Sequence, residues 1–302
     1  MPARRNVAGP DGSGSMAARR RLGRLLTELR EAKAITQEAA AEYIERVPST
    51  LYRMETGKPG VRIRIKQDIH GLCELYEVDA PTREALVQLA ETTKIKGWYQ
   101  PYHDLLVQTN FDSYIGLEQD ASEIDTFESQ LVPGLLQTER YARALVSVPD
   151  NRERDADEVE RRVRMRLRRQ EILTRTDPVR LDAVLSEAVL RQVVGGPAVM
   201  IEQLRHLATS SERPNITLRV LPFAAGLHDG LVSGSFVILR FPDDIESPVV
   251  YSDVLLGGLW FEAPSEVARF GRALTSISES ALDQPASRDM IEQTAKELTG
   301  DV

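Results

Sequence analysis

The first hundred residues carry apolar side chains at helical spacing. Leucines at positions 22, 25, 26 and 29 follow the i, i+3, i+4, i+7 pattern of an amphipathic helix. Thr36 is a suitable N-cap for a second helix, and Pro48 suits the first turn of a third helix that stops at Gly57. The pattern predicts helices over 17–33, 37–44 and 48–56, with two more between residues 65 and 90.

The predicted elements change in kind along the rest of the chain. Helical patterns over 101–107, 113–127, 138–146 and 152–174 are followed by strand-like segments over 179–185, 216–221, 235–241 and 249–255. Further helices are expected over 198–210, 265–282 and 286–298. Residues 1–16 are rich in Gly, Pro and Ser without periodicity, and we expect a disordered tail there.

These patterns predict an α + (α+β) chain with two domains. The first, over 17–97, is all-α with five helices. The second, over 98–302, is helical from 98 to 176 and mixed α/β from 177 to 302, which makes its carboxy-terminal part an α+β domain.

Composition narrows the class of protein. The chain has 302 residues, of which 42% are hydrophobic and 28% charged, as is typical of globular domains. Its one cysteine, Cys73, excludes a disulfide framework and multi-cysteine metal sites. No apolar run approaches the ~20 residues of a membrane span, and residues 1–16 lack the apolar core of a secretory signal. We therefore expect a soluble cytoplasmic protein with no membrane partner and a buried Cys73 thiol.

The net charge of −8 is unevenly distributed. Residues 1–97 contain 17 Lys and Arg against 13 Asp and Glu, a net of +4, whereas residues 98–302 contain 21 against 33, a net of −12. An acidic chain is a poor prospect for nucleic-acid binding, because phosphate neutralisation dominates that affinity. The partition instead favours a basic head that contacts DNA and an acidic body that DNA repels.

The second and third predicted helices form a helix-turn-helix pair, in which the second member enters the DNA major groove. Arg53, one turn into that member, is suited to guanine O6 and N7, and Gln37 is placed for a phosphate or a flanking base. Basic residues after the third helix would neutralise phosphates. The predicted DNA-contacting residues are Gln37, Pro48, Ser49, Thr50, Arg53, Lys58, Arg62 and Arg64.

Two segments of the head carry a family pattern: LGRLLTELREAKAITQEAAAEYI at 22–44 and PSTLYRMETGKPG at 48–60. They resemble the lambda-repressor-like (Xre-type) regulators. The resemblance implies a five-helix DNA-binding domain and an ion pair between Arg30 and Glu55 that ties the first helix to the third. Glu45 stands where the family has a small residue, and Val47 cannot act as an N-cap, so the strength of DNA binding stays open.

A second resemblance covers the acidic body. It is carried by YIGLEQDASEIDTFESQLVPGLLQTERYARAL, RRQEIL, LSEAVLRQVVGGP, RPNITLRVLPFAAGLHDG and SGSFVILRFP. These segments are similar to the carboxy-terminal half of an actinobacterial group of regulators described as antitoxin-like, whose body is an uncharacterised domain. The resemblance implies a regulatory role and a small partner protein encoded nearby.

Catalytic patterns are weak throughout the chain. The histidines lack the spacing of zinc sites, and no phosphate-binding loop or nucleophile elbow is complete. His228-Asp229 is best explained as a loop turn, and Glu187 as a capping or ion-paired carboxylate. We therefore expect no catalytic residue, no metal and no cofactor.

Six arginines lie between residues 161 and 169, at 161, 162, 164, 166, 168 and 169. A second nucleic-acid surface is one interpretation, and docking onto an acidic surface is another. We favour a solvated helix that pairs with Glu158, Glu160 and Glu171 at i,i+3 and i,i+4 spacing, because the six side chains spread around most of the helix.

The function best supported by the sequence is that of a DNA-binding transcription regulator. Its head would contact operator half-sites as part of a homodimer, and its body would dimerise, bind a partner or receive a signal, at the nucleoid of the cytoplasm. The alternative is an antitoxin-like protein that binds and neutralises a small partner protein. An enzyme with a DNA-binding head is the third possibility.

Overall fold

A computed structural model of the chain describes residues 16–58, 61–94, 97–106, 111–148, 155–242, 246–254 and 257–300. The tail predicted over 1–16 lies outside these ranges, except for Met16, which begins the first helix. The chain forms two compact units. The amino-terminal unit comprises residues 1–101, 112–120 and 241–247, and the carboxy-terminal unit comprises residues 102–111, 121–240 and 248–302.

The first 120 residues are helical wherever they are described as regular structure. The helices are α1 (Met16–Ala32), α2 (Gln37–Tyr43), α3 (Pro48–Glu55), α4 (His70–Leu75), α5 (Ala80–Thr92), α6 (His103–Leu106) and α7 (Phe111–Asp120). A π-helical turn, Ile65–Ile69, leads directly into α4.

Local capping explains where the early helices begin and end. The Thr36 hydroxyl accepts a hydrogen bond from the Ala39 N–H at 3.2 Å, and the Asp79 carboxylate accepts one from Thr82 N–H at 2.9 Å. Gly57, after α3, has φ of +64°, the left-handed conformation that glycine adopts without a Cβ penalty. The predicted caps at Thr36 and Gly57 are confirmed.

The core of the amino-terminal unit is built from the apolar faces of α1 to α5. Leu22, Leu26, Leu51 and Leu72 are at most 1% exposed, and Cys73 is buried among them. Burial raises the pKa of the Cys73 thiol. This core fixes the orientation of α3 against α1.

The carboxy-terminal unit is an α+β structure around one six-stranded sheet. Its strands are β1 (Glu123–Glu128), β2 (Arg180–Ser186), β3 (Ile216–Leu221), β4 (Phe236–Arg240), β5 (Val249–Val254) and β6 (Gly257–Phe261). Its remaining helices are α8 (Glu139–Val146), α9 (Ala156–Arg169), α10 (Glu187–Arg191), α11 (Pro197–Ser210), α12 (Gly230–Ser233), α13 (Pro264–Ser280) and α14 (Gln284–Thr299).

The sheet is mixed, with strand order β3-β2-β1-β4-β5-β6. Strands β1, β2 and β3 are parallel and are joined by helical crossovers, whereas β4, β5 and β6 pair as antiparallel neighbours. Thr126 of β1 lies between Ala183 of β2 and Val237 of β4. One face of the sheet packs on α13 through a cluster that includes Phe127, Phe236 and Ile277.

The two edge strands of the sheet are β3 and β6. The Val220 carbonyl of β3 accepts a hydrogen bond from Leu282 N–H at 2.9 Å, and the Val220 N–H donates to the Ser287 hydroxyl at 2.8 Å. The connection between α13 and α14 therefore covers the β3 edge, which blocks strand addition there. The β6 strand forms the opposite edge.

The prediction of a helix over 113–127 is wrong beyond Asp120. The segment 123–128 is β1, because it fills the place between β2 and β4 in the sheet, and pairing with strands more than fifty residues away overrides its helical spacing. The four predicted strands are confirmed as β2 to β5, whereas β1 and β6 were not predicted as strands. The helix predicted over 152–174 corresponds to α9, which ends at Arg169, and to a 3-10 turn over Gln170–Leu173 that follows it; residues 152–154 lie outside the described part.

Candidate nucleic-acid interface

The turn between α2 and α3 adopts a strained backbone conformation. Glu45 has φ of +56°, a region that residues with a Cβ occupy at a cost. Its N–H donates to the Glu42 carbonyl at 3.0 Å, and the Arg46 N–H donates to that of Ala41 at 2.9 Å. Val47 takes the N-cap position of α3 without a side-chain hydrogen bond and is 61% exposed. Both departures from the family pattern thus lie at the entrance to α3.

Helix α3 has one buried face and one exposed face. Its Leu51, Met54 and Glu55 are buried, whereas Pro48, Ser49 and Arg53 are exposed and Thr50 is half-buried. Three of the four residues of α3 predicted to contact DNA are therefore exposed.

Two exposed side chains extend this face at the end of α3. The Lys58 ammonium lies 5.0 Å from the centre of the Tyr52 ring, a cation–π contact. Tyr52 is 46% exposed, although aromatic side chains are usually buried. Tyr52 was not among the predicted residues, and its place next to Arg53 is the signal that would have indicated it.

Arg30 and Glu55 form the ion pair that the resemblance implies. Arg30 Nε donates to Glu55 Oε1 at 2.7 Å, and Arg30 Nη2 to Oε2 at 3.2 Å. The hydrogen bond to Glu55 raises the pKa of the Arg30 guanidinium. Gln37 Nε2 also donates to Glu55 Oε2, at 2.7 Å. The Gln37 side chain therefore joins α2 to α3 through its amide nitrogen.

Asp68 is fully buried between two arginines. Arg46 and Arg64 each donate two side-chain hydrogen bonds to its carboxylate at 2.8–3.0 Å, and the Arg64 backbone N–H donates a fifth at 2.7 Å. Burial by itself raises the pKa of Asp68, but the hydrogen bonds from both arginines outweigh it and the net pKa is lowered.

This network fixes the turn before α3. Arg64 Nη2 donates to the Ile44 carbonyl at 3.1 Å, and Arg46 Nη2 donates to the Arg62 carbonyl at 2.9 Å. Arg64, predicted as a phosphate contact, therefore has its guanidinium directed at Asp68 and at the turn. Arg46 and Asp68 were not predicted, although Asp68 directly precedes the buried Ile69, and a charged side chain at such a position needs a partner.

A basic groove of about 1110 Å³ runs beside this network. The cationic side chains that line it are Arg19, Arg46, Arg62, Arg64, Lys66 and Lys94. Glu91 is the acid on its wall and pairs with Lys94 at 2.9 Å. Arg19 donates to the carbonyls of Val61 and Thr93, and burial lowers its pKa. Arg62 and Lys66 are exposed, so the groove offers positive charge after α3.

Residues considered for catalysis have structural partners. Glu187 accepts hydrogen bonds from Arg191 Nε at 3.2 Å and from Phe223 N–H at 2.9 Å, and the predicted ion-paired carboxylate is confirmed. The His228 ring packs edge-on against Phe127 at 6.3 Å between ring centres. Among the described residues, no group of three or more His, Cys, Asp or Glu side chains could hold a metal ion.

Four of the six arginines of α9 fall into two groups. The surface pairs are Arg161 with Asp104, Arg162 with Glu158, and Arg164 with Glu160. The predicted pairs to Glu158 and Glu160 are thus confirmed. Arg169 instead is 4% exposed, with its guanidinium 5.0 Å from the centre of the Phe111 ring, and this inward position was not predicted.

Comparison with known families finds two matches along the chain. A family described as a helix-turn-helix domain matches residues 21–86, which include α2, α3 and the turn between them. A second family, described as a domain of unknown function (DUF5753), matches residues 111–293. No curated protein and no solved structure matches the chain.

In the described part of the chain, no helix is both long enough and apolar enough to cross a membrane. The helix-turn-helix match supports a DNA-binding regulator rather than an enzyme. Because the second match spans more than half of the 302 residues, the chain belongs to the family defined by the domain of unknown function DUF5753, with a helix-turn-helix domain at its amino-terminal end.

Proposed function

We propose that this protein is a sequence-specific transcription regulator of the Xre type that binds operator DNA as a homodimer, in the cytoplasm at the nucleoid. The observation that carries the proposal is the exposed face of α3, where Ser49 and Arg53 extend from a helix-turn-helix whose opposite face is fixed in the core. Helix α3 enters the major groove with this face towards the bases.

The exposed side chains have distinct roles in this proposal. Arg53 donates two hydrogen bonds to guanine O6 and N7, which is worth about 1–3 kcal/mol of discrimination. Ser49 and Thr50 contact bases or a phosphate at the start of α3, and Pro48 packs on the sugar-phosphate edge. Gln37 keeps its backbone N–H at the amino-terminal end of α2 for a phosphate, while its amide nitrogen holds Glu55.

Phosphate contacts come from the basic residues after α3. Lys58 and Arg62 are exposed and positively charged, and Lys66 adds a third cation along the basic groove. Arg64 is assigned mainly to positioning, since its guanidinium holds the turn through Asp68. The net charge of −12 over residues 98–302 keeps non-specific binding to DNA weak.

The carboxy-terminal domain is proposed to mediate dimerisation, partner binding or signal reception. The antitoxin-like grouping belongs to this proposal, as does a small partner protein encoded nearby. The partner alternative predicts that the cellular phenotype survives loss of operator binding.

The test is genomic footprinting of the tagged protein, followed by fluorescence anisotropy on the recovered operator. We expect Arg53→Ala to weaken operator binding by about 10-fold to 100-fold and to relax specificity at one base pair. Arg83→Ala is the matched control, because it removes an exposed arginine from α5. Equal affinities of the two variants would contradict the proposal, and loss of binding with an intact phenotype would favour the partner alternative.

Salt dependence provides an independent measurement. The logarithm of affinity falls with the logarithm of salt concentration at a slope of about −0.9 per neutralised phosphate. We expect Arg62→Ala to reduce the steepness of the slope by about 1, without changing the preferred sequence. A slope near zero for the wild-type chain would exclude DNA binding by the head.

A further inference from the structure

The loop after β3 exposes large apolar side chains. Phe223, Leu227, Leu231 and Val232 are 61%, 89%, 65% and 87% exposed within ten residues. We call residues 223–233 the apolar loop. Single exposed apolar residues are ordinary, but a contiguous group of this kind is typical of an interaction surface.

The apolar loop is held in place from beneath. Its Gly230 packs so closely on Phe127 that a Cβ there would lie 2.5 Å from the ring. The Leu231 N–H donates to the His228 carbonyl at 3.1 Å, and the Phe223 N–H donates to Glu187 at 2.9 Å. A backbone fixed in this way keeps Leu227 and Leu231 in water, where their exposure is unfavourable until something covers them.

A groove of about 610 Å³ lies directly beside the apolar loop. Its apolar lining comes from Val232 of the loop, Phe261 at the end of β6, and Phe270 and Ala273 of α13. Protruding leucines and a groove lined by apolar side chains therefore lie next to each other on the same unit.

The rim of the groove carries two acids and two bases. They are Asp229, Glu266, Arg269 and Arg272. Within the described ranges, Arg269, Arg272 and Asp229 make no ion pair, and Glu266 accepts a hydrogen bond only from Ala263 N–H at 3.3 Å. Both signs of charge are thus available to a partner.

The geometry points to a two-fold interface between two copies of this chain, in which the apolar loop of each copy enters the groove of the other. In a two-fold interface the same patch meets itself, so it must hold both the protrusion and its cavity, and both the acid and the base. This patch has all four: the apolar loop, the groove beside it, the acid Asp229 and the bases Arg269 and Arg272. Asp229 of each copy pairs with Arg269 or Arg272 of its partner, and Leu227 and Leu231 pack against Phe261 and Phe270.

The charges favour a second copy over other occupants. An acidic peptide would be repelled by Asp229 and Glu266, and a basic peptide by Arg269 and Arg272, whereas a second copy presents both signs of charge to this rim. The inference deepens the proposed function, because it assigns a surface to the homodimer that binds the two operator half-sites.

The first experiment measures the oligomeric state of the full chain without DNA by sedimentation velocity at micromolar concentrations. We expect the wild-type chain to sediment as a dimer and the double variant Leu227→Asp, Leu231→Asp as a monomer, with an unchanged circular dichroism spectrum. Val193→Asp is the matched control, since Val193 is also exposed, at 43%, and lies outside the loop and groove. A monomeric wild type, or a dimeric double variant, would overturn the inference.

The second experiment uses charge reversal to show that the patch meets itself. Arg269→Glu with Arg272→Glu in one chain, and Asp229→Arg in another, should each weaken self-association at least tenfold. Mixing the two differently tagged chains should restore a heterodimer. Failure of the mixture to associate would contradict the pairing, because an unrelated occupant gives no reason for rescue.

The outcomes separate the interface from DNA binding. Affinity for a single half-site should be unchanged in the monomeric variant, whereas affinity for the two-half-site operator should fall. A dimer that depends on the patch but binds no DNA would uphold the interface and remove the proposed function. DNA binding by a chain that is monomeric without DNA would uphold DNA binding and overturn the interface.

Discussion

Arg30 and Glu55 connect α1 to α3 through two hydrogen bonds, at 2.7 and 3.2 Å, while both side chains are largely withdrawn from solvent. A third bond, from Gln37 to the same carboxylate, brings in α2. The proposed DNA-contacting helix is therefore positioned by a polar cluster beneath it as well as by apolar packing. Such a cluster is directional, so it fixes the rotation of α3 about its own axis.

Replacing Arg30 with Met should destabilise the amino-terminal unit by about 3 kcal/mol or more, because Glu55 would remain buried without its cation. The measurement is urea denaturation followed by Trp98 fluorescence, with Trp260→Phe introduced in every chain compared. Operator affinity should also fall, since α3 loses its orientation. Lys33→Ala serves as the control, because its pair with Glu77 is exposed and screened by solvent, so its loss should change stability little. Equal losses of unfolding free energy in the two variants would show that burial of the Arg30–Glu55 pair does not increase its contribution to stability.

Gly23→Ala tests the close approach of α1 and α3. An added Cβ would lie 2.3 Å from the Glu55 carbonyl oxygen and 2.6 Å from that of Met54, so the helices must separate. We expect a loss of about 1–3 kcal/mol by urea denaturation. Gly271→Ala in α13 is the opposite case: no atom lies within 4 Å of its Cβ, and alanine should add about 0.5–1 kcal/mol. If Gly23→Ala leaves the free energy of unfolding unchanged, α1 and α3 lie farther apart than these distances indicate.

The strained turn residue Glu45 makes a prediction about both stability and DNA affinity. Glu45→Gly should stabilise the amino-terminal unit by about 0.5–1 kcal/mol, because glycine adopts a φ of +56° without a Cβ penalty. It should also tighten operator binding a few-fold, because a negative charge beside α3 is removed. Calorimetry and fluorescence anisotropy measure the two effects.

Glu45→Gln separates the charge of Glu45 from its backbone conformation. It removes the charge and keeps the strain, so we expect the gain in affinity without the gain in stability. If Glu45→Gln leaves operator affinity unchanged while Glu45→Gly raises it, the backbone rather than the charge limits binding.

Local signals sufficed for the helices of the head, because their determinants are local. Thr36, Asp79 and Gly57 cap or end helices through contacts within four residues, and leucine spacing defines the buried face of α1. In α3 the apolar Leu51 and Met54 mark the buried face, and the opposite face is the exposed one. Base-contacting candidates such as Arg53 can therefore be named from the sequence alone.

The determinants that were missed act over long distances. Segment 123–128 is a strand because β2 and β4 pair with it, and its own spacing favours a helix. The Arg46–Asp68 contact joins residues 22 positions apart, and Arg169 is drawn inward by Phe111. In each case the deciding partner is distant in sequence, where periodicity carries no information.

The Glu128 carboxyl at the end of β1 should make stability depend on pH. The residue keeps some exposed surface, but its carboxyl group is enclosed by protein, and this burial raises its pKa to about 8 despite hydrogen bonds from Thr126 and Ser235. The nearby Asp253 carboxylate raises it further. In the folded chain Glu128 is therefore protonated below pH 8, whereas in the unfolded chain it ionises near its ordinary value of 4.5.

The sign of the effect follows from proton binding. Between pH 4.5 and 8 the folded chain holds a proton that the unfolded chain releases, so the contribution of Glu128 to stability falls as pH rises through this window. Glu128→Gln removes the ionisation. The variant should therefore be more stable than the wild type by about 4 kcal/mol at pH 8.5, and by less than about 1 kcal/mol at pH 5.

Urea denaturation of the carboxy-terminal unit at the two pH values measures this difference, with Trp260 as the probe and Trp98→Phe in every chain. Glu279→Gln, at an exposed position of α13, is the control and should not change the pH dependence. If Glu128→Gln gains the same unfolding free energy at pH 5 and pH 8.5, the gain comes from packing and not from the ionisation of Glu128. A gain confined to pH 8.5 requires that the pKa of Glu128 is raised in the folded chain, because a carboxyl group with its ordinary pKa in both states would show no such window.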